Sequence, residues 1–330
     1  MQHILIIQTA SLGDVILSTS LAETLHSQYP GASIDYLIKK GYESLFHGHP
    51  FIRNVFTWNK KEGKYRNLLK IAFKIRSIRY DAVVNVQRFA SSGFVSALSG
   101  AGFRAGFEKN PLSFTYTHKV KHIINGSSHE IHRNHNLIMP LVNIPANKPR
   151  LYPSASDEKH TLQYRQGRYI TISPASLYFT KQLPAEKWIE LIDNIPSGIK
   201  VFLLGSGQDV DLCQSIIGNS KNTDLESLAG KLSFLQSSQV MQDALMNYVN
   251  DSAPQHMASA VNAPVTAVFC STVPSFGFGP LSDKSAIVET TVPLACKPCG
   301  LHGYNRCPET HFKCAKTITV NQLLLPLTYE

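Results

Sequence analysis

A chain of 330 residues with 43% hydrophobic and 17% charged residues and a mean hydropathy of -0.09 is composed as a folded globular protein, which excludes a mainly disordered one. The formal net charge is +9 but lopsided: residues 1–150 hold 19 Lys+Arg against 8 Asp+Glu, a net of +11, and residues 151–330 hold 13 against 15, a net of −2. No apolar run reaches the roughly 18 residues of a spanning helix, and the opening MQHILII has no basic leader segment, so a cytoplasmic protein of two domains of about 150 residues each is expected.

Short apolar runs alternate with helix-like segments through the first half. HILIIQ (3–8) reads as a buried strand entering a loop. Residues 14–28 carry Val15, Ile16, Leu21, Ala22 and Leu25 at near-helical spacing, until Tyr29-Pro30-Gly31 stops the helix. SIDYLI (33–38) and VFTW (55–58) read as the next strands. Residues 61–79 form a basic amphipathic helix whose apolar face is Leu68, Leu69, Ala72, Phe73 and Ile75, and DAVVNVQ (81–87) is another buried strand. The second half repeats this grammar. YITISP (169–174) is a strand, 184–193 a helix opening with Pro184 at its first position, and KVFLLGSG (200–207) a strand running into a glycine turn. Helices follow at 209–217 and from 254, and PVTAVFC (264–270) is a strand. Strands alternating with helices predict parallel sheets wound by right-handed crossovers. A Pro- and Lys-containing connector near 144–160 separates domains at 1–155 and 156–330. The fold class is therefore α/β, with two Rossmann-like domains and ligands expected beyond the carboxyl ends of the strands.

Ser11-Leu12-Gly13-Asp14 joins the first strand to the first helix. Gly13 permits a tight turn, and Asp14 is either a carboxylate facing the ligand or an ordinary first-turn acid on the helix dipole. The loop is not a dinucleotide fingerprint, because G-x-G-x-x-G is absent. Ser173-Pro174-Ala175-Ser176 with Lys181 offers small hydroxyls and one cation to a diphosphate, or simply caps the next helix. In Gly205-Ser206-Gly207-Gln208-Asp209, Asp209 is placed to take ribose hydroxyls, and Asp209-Val210-Asp211 matches the D-x-D of metal-dependent sugar transferases. Asp251-Ser252-Ala253-Pro254-Gln255-His256 points backbone N–H groups and a hydroxyl at an anion. Cys296, Cys299, Cys307 and Cys314 have a C-x2-C start that permits structural zinc, but no second tight pair, so zinc is not favoured. His129-Glu130-Ile131-His132-Arg133 fails H-E-x-x-H because position 133 is Arg.

Taken in order, these pieces resemble glycosyltransferase family 9, the ADP-heptose:lipopolysaccharide heptosyltransferases. The matching segments are Ser11-Leu12-Gly13-Asp14-Val15, Tyr80-Asp81-Ala82-Val83-Val84, Arg104-Ala105-Gly106-Phe107, Pro174-Ala175-Ser176, Lys181-Gln182-Leu183-Pro184, Leu228-Ala229-Gly230, Asp251 through Ala258, and the tail from Cys299 to Cys314. The resemblance implies a GT-B fold, two Rossmann-like domains with parallel sheets facing across a cleft. Acceptor binding falls to the first domain and nucleotide-sugar binding to the second. It implies an inverting transfer that requires no cofactor or metal, which reduces the D-x-D to a helix start. Asp14 becomes the general base. Ser176, Lys181, Asp209, Asp251, Ser252 and His256 become donor-binding residues, and Ser11, Gly13 and Arg88 acceptor-binding residues. The partners implied are a nucleotide sugar, with ADP-heptose favoured, and a phosphorylated glycolipid acceptor at the cytoplasmic face of the inner membrane.

The chain departs from the family pattern at Ala253, where glycine is usual, and at Gln8, Asn85 and Leu183. Ala253 would be strained if that position took a positive φ. The cations Lys60, Lys61, Lys64, Arg66, Lys70, Lys74, Arg76 and Arg79 form the surface expected to meet anionic lipid. The alternatives are a GT-B enzyme with another donor, a sugar-nucleotide epimerase, and more remotely a nucleic-acid-binding protein with a zinc-held tail. The last lacks a binding motif and stacking positions, so no nucleic-acid partner is expected.

Overall fold

The computed structural model describes residues 1–124, 126 and 128–327. The chain folds as two compact units, Met1–Tyr152 and Pro153–Glu330.

The first unit is built on β1 (His3–Gln8), β2 (Ser33–Lys39), β3 (Ile52–Trp58), β4 (Ala82–Asn85), β5 (Phe103–Phe107) and β6 (His118–Val120). Its helices are α1 (Leu12–Gln28), α2 (Lys64–Ile78), α3 (Ala90–Leu98) and α4 (Glu130–His135). The six strands are ordered β3-β2-β1-β4-β5-β6, and every pair is parallel. A parallel sheet is covered on both faces, which is why Ile4, Leu5, Ile6 and Ile7 are all fully buried in succession. Ser11 caps α1, and the Tyr29 N–H closes it on the Leu25 carbonyl just before Pro30. Leu68, Ala72 and Ile75 of α2 pack with Leu5, Ile7, Phe56, Trp58 and Val83. The helix meets the sheet only along this line, so Leu69 and Phe73, expected on the buried face, lie exposed. The predicted surface cation Lys60 turns inward, where its Nζ donates to the Thr9 carbonyl at 2.6 Å.

The second unit repeats the plan with β7 (Tyr169–Ser173), β8 (Lys200–Leu203), β9 (Leu225–Ser227), β10 (Asn247–Asn250), β11 (Val265–Phe269) and β12 (Ser285–Glu289). Its helices include α5 (Ala155–Thr161), α6 (Ala185–Asp193), α7 (Val210–Asn219), α8 (Phe234–Gln242) and α9 (Ala253–Ala260). The order is β12-β11-β10-β7-β8-β9, again parallel throughout. Trp188, Leu191 and Ile192 of α6 fill the core beside Ile170, Leu203 and Tyr248. Pro184 is the cap residue of α6 rather than its first helical residue. The tail returns to this core through Phe312, Cys314, Ala315, Ile318 and Leu323.

In each sheet the first strand of the unit is central, and the winding reverses beside it. The reversal falls between β1 and β4 in the first sheet and between β7 and β10 in the second. Ligands of open α/β sheets bind beyond the carboxyl ends of the strands at this point.

Candidate active site

At the β1/β4 reversal the loop after β1 ends at Ser11, and the first turn of α1 carries Gly13 and Asp14. Asp14 Oδ2 accepts from the Ser11 hydroxyl at 2.6 Å and the Ser11 N–H at 3.1 Å, while the Asp14 N–H donates to Ser11 Oγ at 3.4 Å. This reciprocal capping box fixes a half-buried carboxylate at the positive end of α1. The first-turn use of Asp14 is therefore real, and any catalytic use is in addition to it. Gly13 is buried inside α1 without a positive φ, so the tight turn expected of it is not formed.

The loop after β4 lies alongside. Gln8 Oε1 accepts from the Gln87 side-chain amide, which ties the ends of the two strands together. Asn110 Nδ2 donates at 3.0 Å to both the Gln87 and Phe89 carbonyls and so fixes the turn that carries Arg88. Arg88 itself is exposed, its guanidinium 5.4 Å from the Phe89 ring centroid. Asn85 is spent inside the fold, donating to the Tyr116 hydroxyl at 2.7 Å. Lys60 stands 4.8 Å from the Trp58 ring centroid, and burial together with Lys39 and Lys64 lowers its ammonium below the ordinary lysine range. Gln87, Asn110 and the inward turn of Lys60 carry no sequence signal, because their partners are distant in the chain.

At the β7/β10 reversal the geometry is tighter. Lys181 Nζ lies 2.7 Å from Asp251 Oδ2, with the two side chains only 16% and 8% exposed. The same carboxylate oxygen accepts from the Thr272 hydroxyl at 2.6 Å. Asn250, at the end of β10, staples the loop after β7: its Oδ1 accepts from the Leu183 N–H at 2.9 Å and its Nδ2 donates to the Pro174 carbonyl at 2.9 Å. Ser176 sits half-buried in that stapled loop, its N–H donating to Gln182 Oε1 at 3.3 Å. Ser252 caps α9 with extended backbone (φ −156°), and its hydroxyl donates to the Asn250 carbonyl at 3.3 Å. Ala253 begins α9 and is not among the residues with positive φ, so alanine fits where the family has glycine. His256 is buried in α9.

Asp209 stands apart from this group, after β8. Its carboxylate accepts from the Ser206 N–H at 2.7 Å and from the Ser206 hydroxyl at 2.8 Å. A Cβ on Gly205 would come within 2.8 Å of Asp209 Cβ, so only glycine lets the strand end approach the acid this closely. Asp211 lies in the first turn of α7, and the D-x-D is a helix start.

Sequence reasoning missed the back wall of the lysine. Gly303, at φ +73°, lies where an added Cβ would meet Thr180 Oγ1 at 2.8 Å and Lys181 Cγ at 3.0 Å. Thr180 exchanges hydrogen bonds with Tyr304, at 3.0 Å and 2.8 Å, and the Cys299 N–H donates to the Ser271 carbonyl at 2.8 Å. The cysteine-bearing segment thus supports the Lys181 loop. Its thiols are free. Cys299 Sγ donates to the Cys296 carbonyl at 3.2 Å, and burial with the neighbouring cysteines pushes the Cys314 thiol up to about 11. Among the described residues, no three His, Cys, Asp or Glu side chains converge to hold a metal ion. Glu130, in the stretch that imitates a zinc motif, is paired with Arg133 at 2.7 Å.

Two doubly wound parallel units, each with its polar cluster at its own reversal point, are the build of the GT-B fold. Comparison with known proteins carries this further. The model of glycosyltransferase family 9 (heptosyltransferase) matches residues 68–303. The chain belongs to that family and is a glycosyltransferase rather than an epimerase. It is 26% identical over 284 residues to lipopolysaccharide heptosyltransferase 3 of Escherichia coli, covering 79% of this chain and 80% of the relative. It is 23% identical over 311 residues to lipooligosaccharide heptosyltransferase 2 of Haemophilus influenzae, covering 87% and 88%. Among solved structures, a family 9 glycosyltransferase from Veillonella parvula superposes with a TM-score of 0.87 at 19% identity, covering 100% of this chain and 98% of the other. Escherichia coli ADP-heptose lipopolysaccharide heptosyltransferase II superposes with a TM-score of 0.81 at 22% identity, with the same coverage.

Proposed function

We propose that this glycosyltransferase moves a heptose from ADP-heptose onto a lipopolysaccharide-core or related glycolipid acceptor, with inversion and without a metal. The observation that carries the reading is the largely buried Lys181–Asp251 pair beside the start of α9, at the reversal point of the second sheet. An ammonium has three donors. Asp251 takes one, and the remaining two are directed to the leaving diphosphate. Asp251, itself held by Thr272, is then a positioning residue for Lys181. The α9 N-terminus adds donors to the same anion, and the Ser252 hydroxyl joins them by turning from the Asn250 carbonyl. Ser176 and His256 complete the donor side, and Asp209 serves the ribose.

On the acceptor side Asp14 takes the proton of the attacking hydroxyl, with Ser11, Gly13 and Arg88 lining the acceptor. The capping box supports this role, because a base must be held in one orientation before substrate arrives. The names of the relatives support heptose and the lipopolysaccharide core. Among the described residues no helix is long and apolar enough to cross a membrane; peripheral contact with a lipid acceptor is part of this proposal.

Asp14→Asn tests the assignment. Transfer should fall by about a hundredfold or more, while calorimetric binding of ADP stays near wild type. Turnover retained in this variant removes Asp14 as the base. A thermal-shift preference for UDP or GDP over ADP removes the heptose reading.

A further inference from the structure

Helix α2 carries two parallel stripes at four-residue steps. One is apolar: Tyr65, Leu69 and Phe73 are 72%, 44% and 66% exposed. The other, one residue further round, is cationic: Arg66, Lys70 and Lys74, all exposed. Residues four apart lie on one face of a helix, so each triplet is continuous over about 12 Å of axis. The buried face of the same helix, Leu68, Ala72 and Ile75, is already satisfied by the sheet. The exposed stripe is therefore a second apolar face with no partner in the first unit's core. Lys61, Lys64 and Arg79 extend the positive charge. Glu62 is the lone acid between residues 60 and 79, and no ion pair among the described residues engages a cation of α2. Gly63 and Arg79, both in the left-handed region, end the helix at either side of the stripe.

A solvated charged face would not also expose Phe and Leu in register, since such a patch marks an interaction surface. A nucleic acid would use the cations but gains nothing from Leu69, which cannot stack a base. An anionic bilayer uses both stripes, with the apolar side chains entering the headgroup boundary and the cations meeting lipid phosphate. We propose that α2 is a membrane-docking helix that seats the first unit on an anionic lipid surface through Tyr65, Leu69 and Phe73. The proposal rests on the reading of a lipid-linked acceptor, and it specifies which face of the protein meets the lipid.

The test is co-sedimentation of the full chain with vesicles of phosphatidylcholine alone or mixed with phosphatidylglycerol, with neither donor nor acceptor present. Wild type should sediment with the mixed vesicles and not with the neutral ones. Leu69→Ser with Phe73→Ser, and separately Arg66→Glu with Lys70→Glu, should each weaken association about tenfold or more, with unchanged melting temperature. Failure of wild type to bind, equal binding to both vesicles, or full binding by either variant overturns the proposal. So does a wild-type dimer that Phe73→Ser dissolves, or tighter binding of single-stranded nucleic acid through the same residues. Because no sugar substrate is present, a wrong donor assignment leaves this result standing, and failed vesicle binding leaves the transferase reading standing.

Discussion

Replacing Lys181 with methionine separates the structural from the chemical work of the Lys181–Asp251 pair. Methionine keeps the length of the side chain and removes its charge. The Asp251 carboxylate, 8% exposed, would keep only the Thr272 hydroxyl at 2.6 Å and its loop. Removing one partner of a buried pair costs about 3 kcal/mol or more, because the remaining charge is left uncompensated. For a domain of this size that lowers the melting temperature by about 6 to 12 °C. Adding Asp251→Asn removes the orphaned charge, and the double variant should recover most of the loss. Catalysis should behave differently. Loss of a cation aimed at the leaving group costs about a hundred- to a thousandfold in rate, and the second substitution cannot restore it. Differential scanning fluorimetry and nucleotide release from ADP-heptose measure the two quantities on the same samples. A double variant that recovers turnover along with stability would refute the role of Lys181, since it would reduce the pair to a structural contact.

The back wall of the lysine offers a second test: Gly303→Ala forces a φ of +73° on alanine and a Cβ within 3.0 Å of Lys181 Cγ, so calorimetry should show weaker ADP binding and scanning fluorimetry a loss of about 1 to 2 kcal/mol. Unchanged affinity would mean that the tail does not position the lysine. In the first unit, burial and neighbouring His26 pull the His49 imidazole down to about 4, where its Nδ1 accepts from the Ile52 N–H at 3.3 Å. The folded value lies below the ordinary value of about 6.5, so the unfolded chain takes up the proton first and stability falls as pH drops from about 6.5 through 4. His49→Phe should flatten this limb in melting curves against pH, and an identical slope in the variant would exclude His49.

The strands read from the sequence are β1, β2, β3, β4, β7, β8 and β11, with ILII in β1 and VFLL at β8 the plainest apolar runs. Three of those that escaped have physical reasons for doing so. β10 reads NYVN, and its two asparagines break the apolar run because they are buried staples, Asn247 to the Met241 and Pro264 carbonyls and Asn250 to the loop after β7. β6 and β9 have only three residues each, too few to show a period. The loop–helix junctions at Asp14 and Asp209 were readable because a hydroxylated residue before a first-turn acid is a local signal, and the one at Asp251 because Asp-Ser stands just ahead of a helix start with Pro254 in its first turn. Thr272 and Gly303 were not. Their partners lie 21 and more than 100 residues away in the chain, and nothing local distinguishes them from other loop residues. For α2 the spacing rule counted Leu69 and Phe73 toward the core, because periodicity does not reveal how wide a face the sheet will cover.

The uneven charge acquires a structural meaning from these placements. In the second unit, with a sequence net near zero, the proposed diphosphate site uses one lysine, held by its own carboxylate, and the N–H groups of α9. These are short-range and partly dry. In the first unit five exposed cations, Lys64, Arg66, Lys70, Lys74 and Arg76, lie on α2, which carries no acid. Exposed charges are screened over about 8 Å at physiological ionic strength, and buried pairs much less. Raising salt should therefore strip the protein from anionic vesicles while calorimetric ADP affinity changes by no more than about threefold. A parallel collapse of both would show that the nucleotide is held by the diffuse positive field of the protein. The localised Lys181 site would then have to be abandoned.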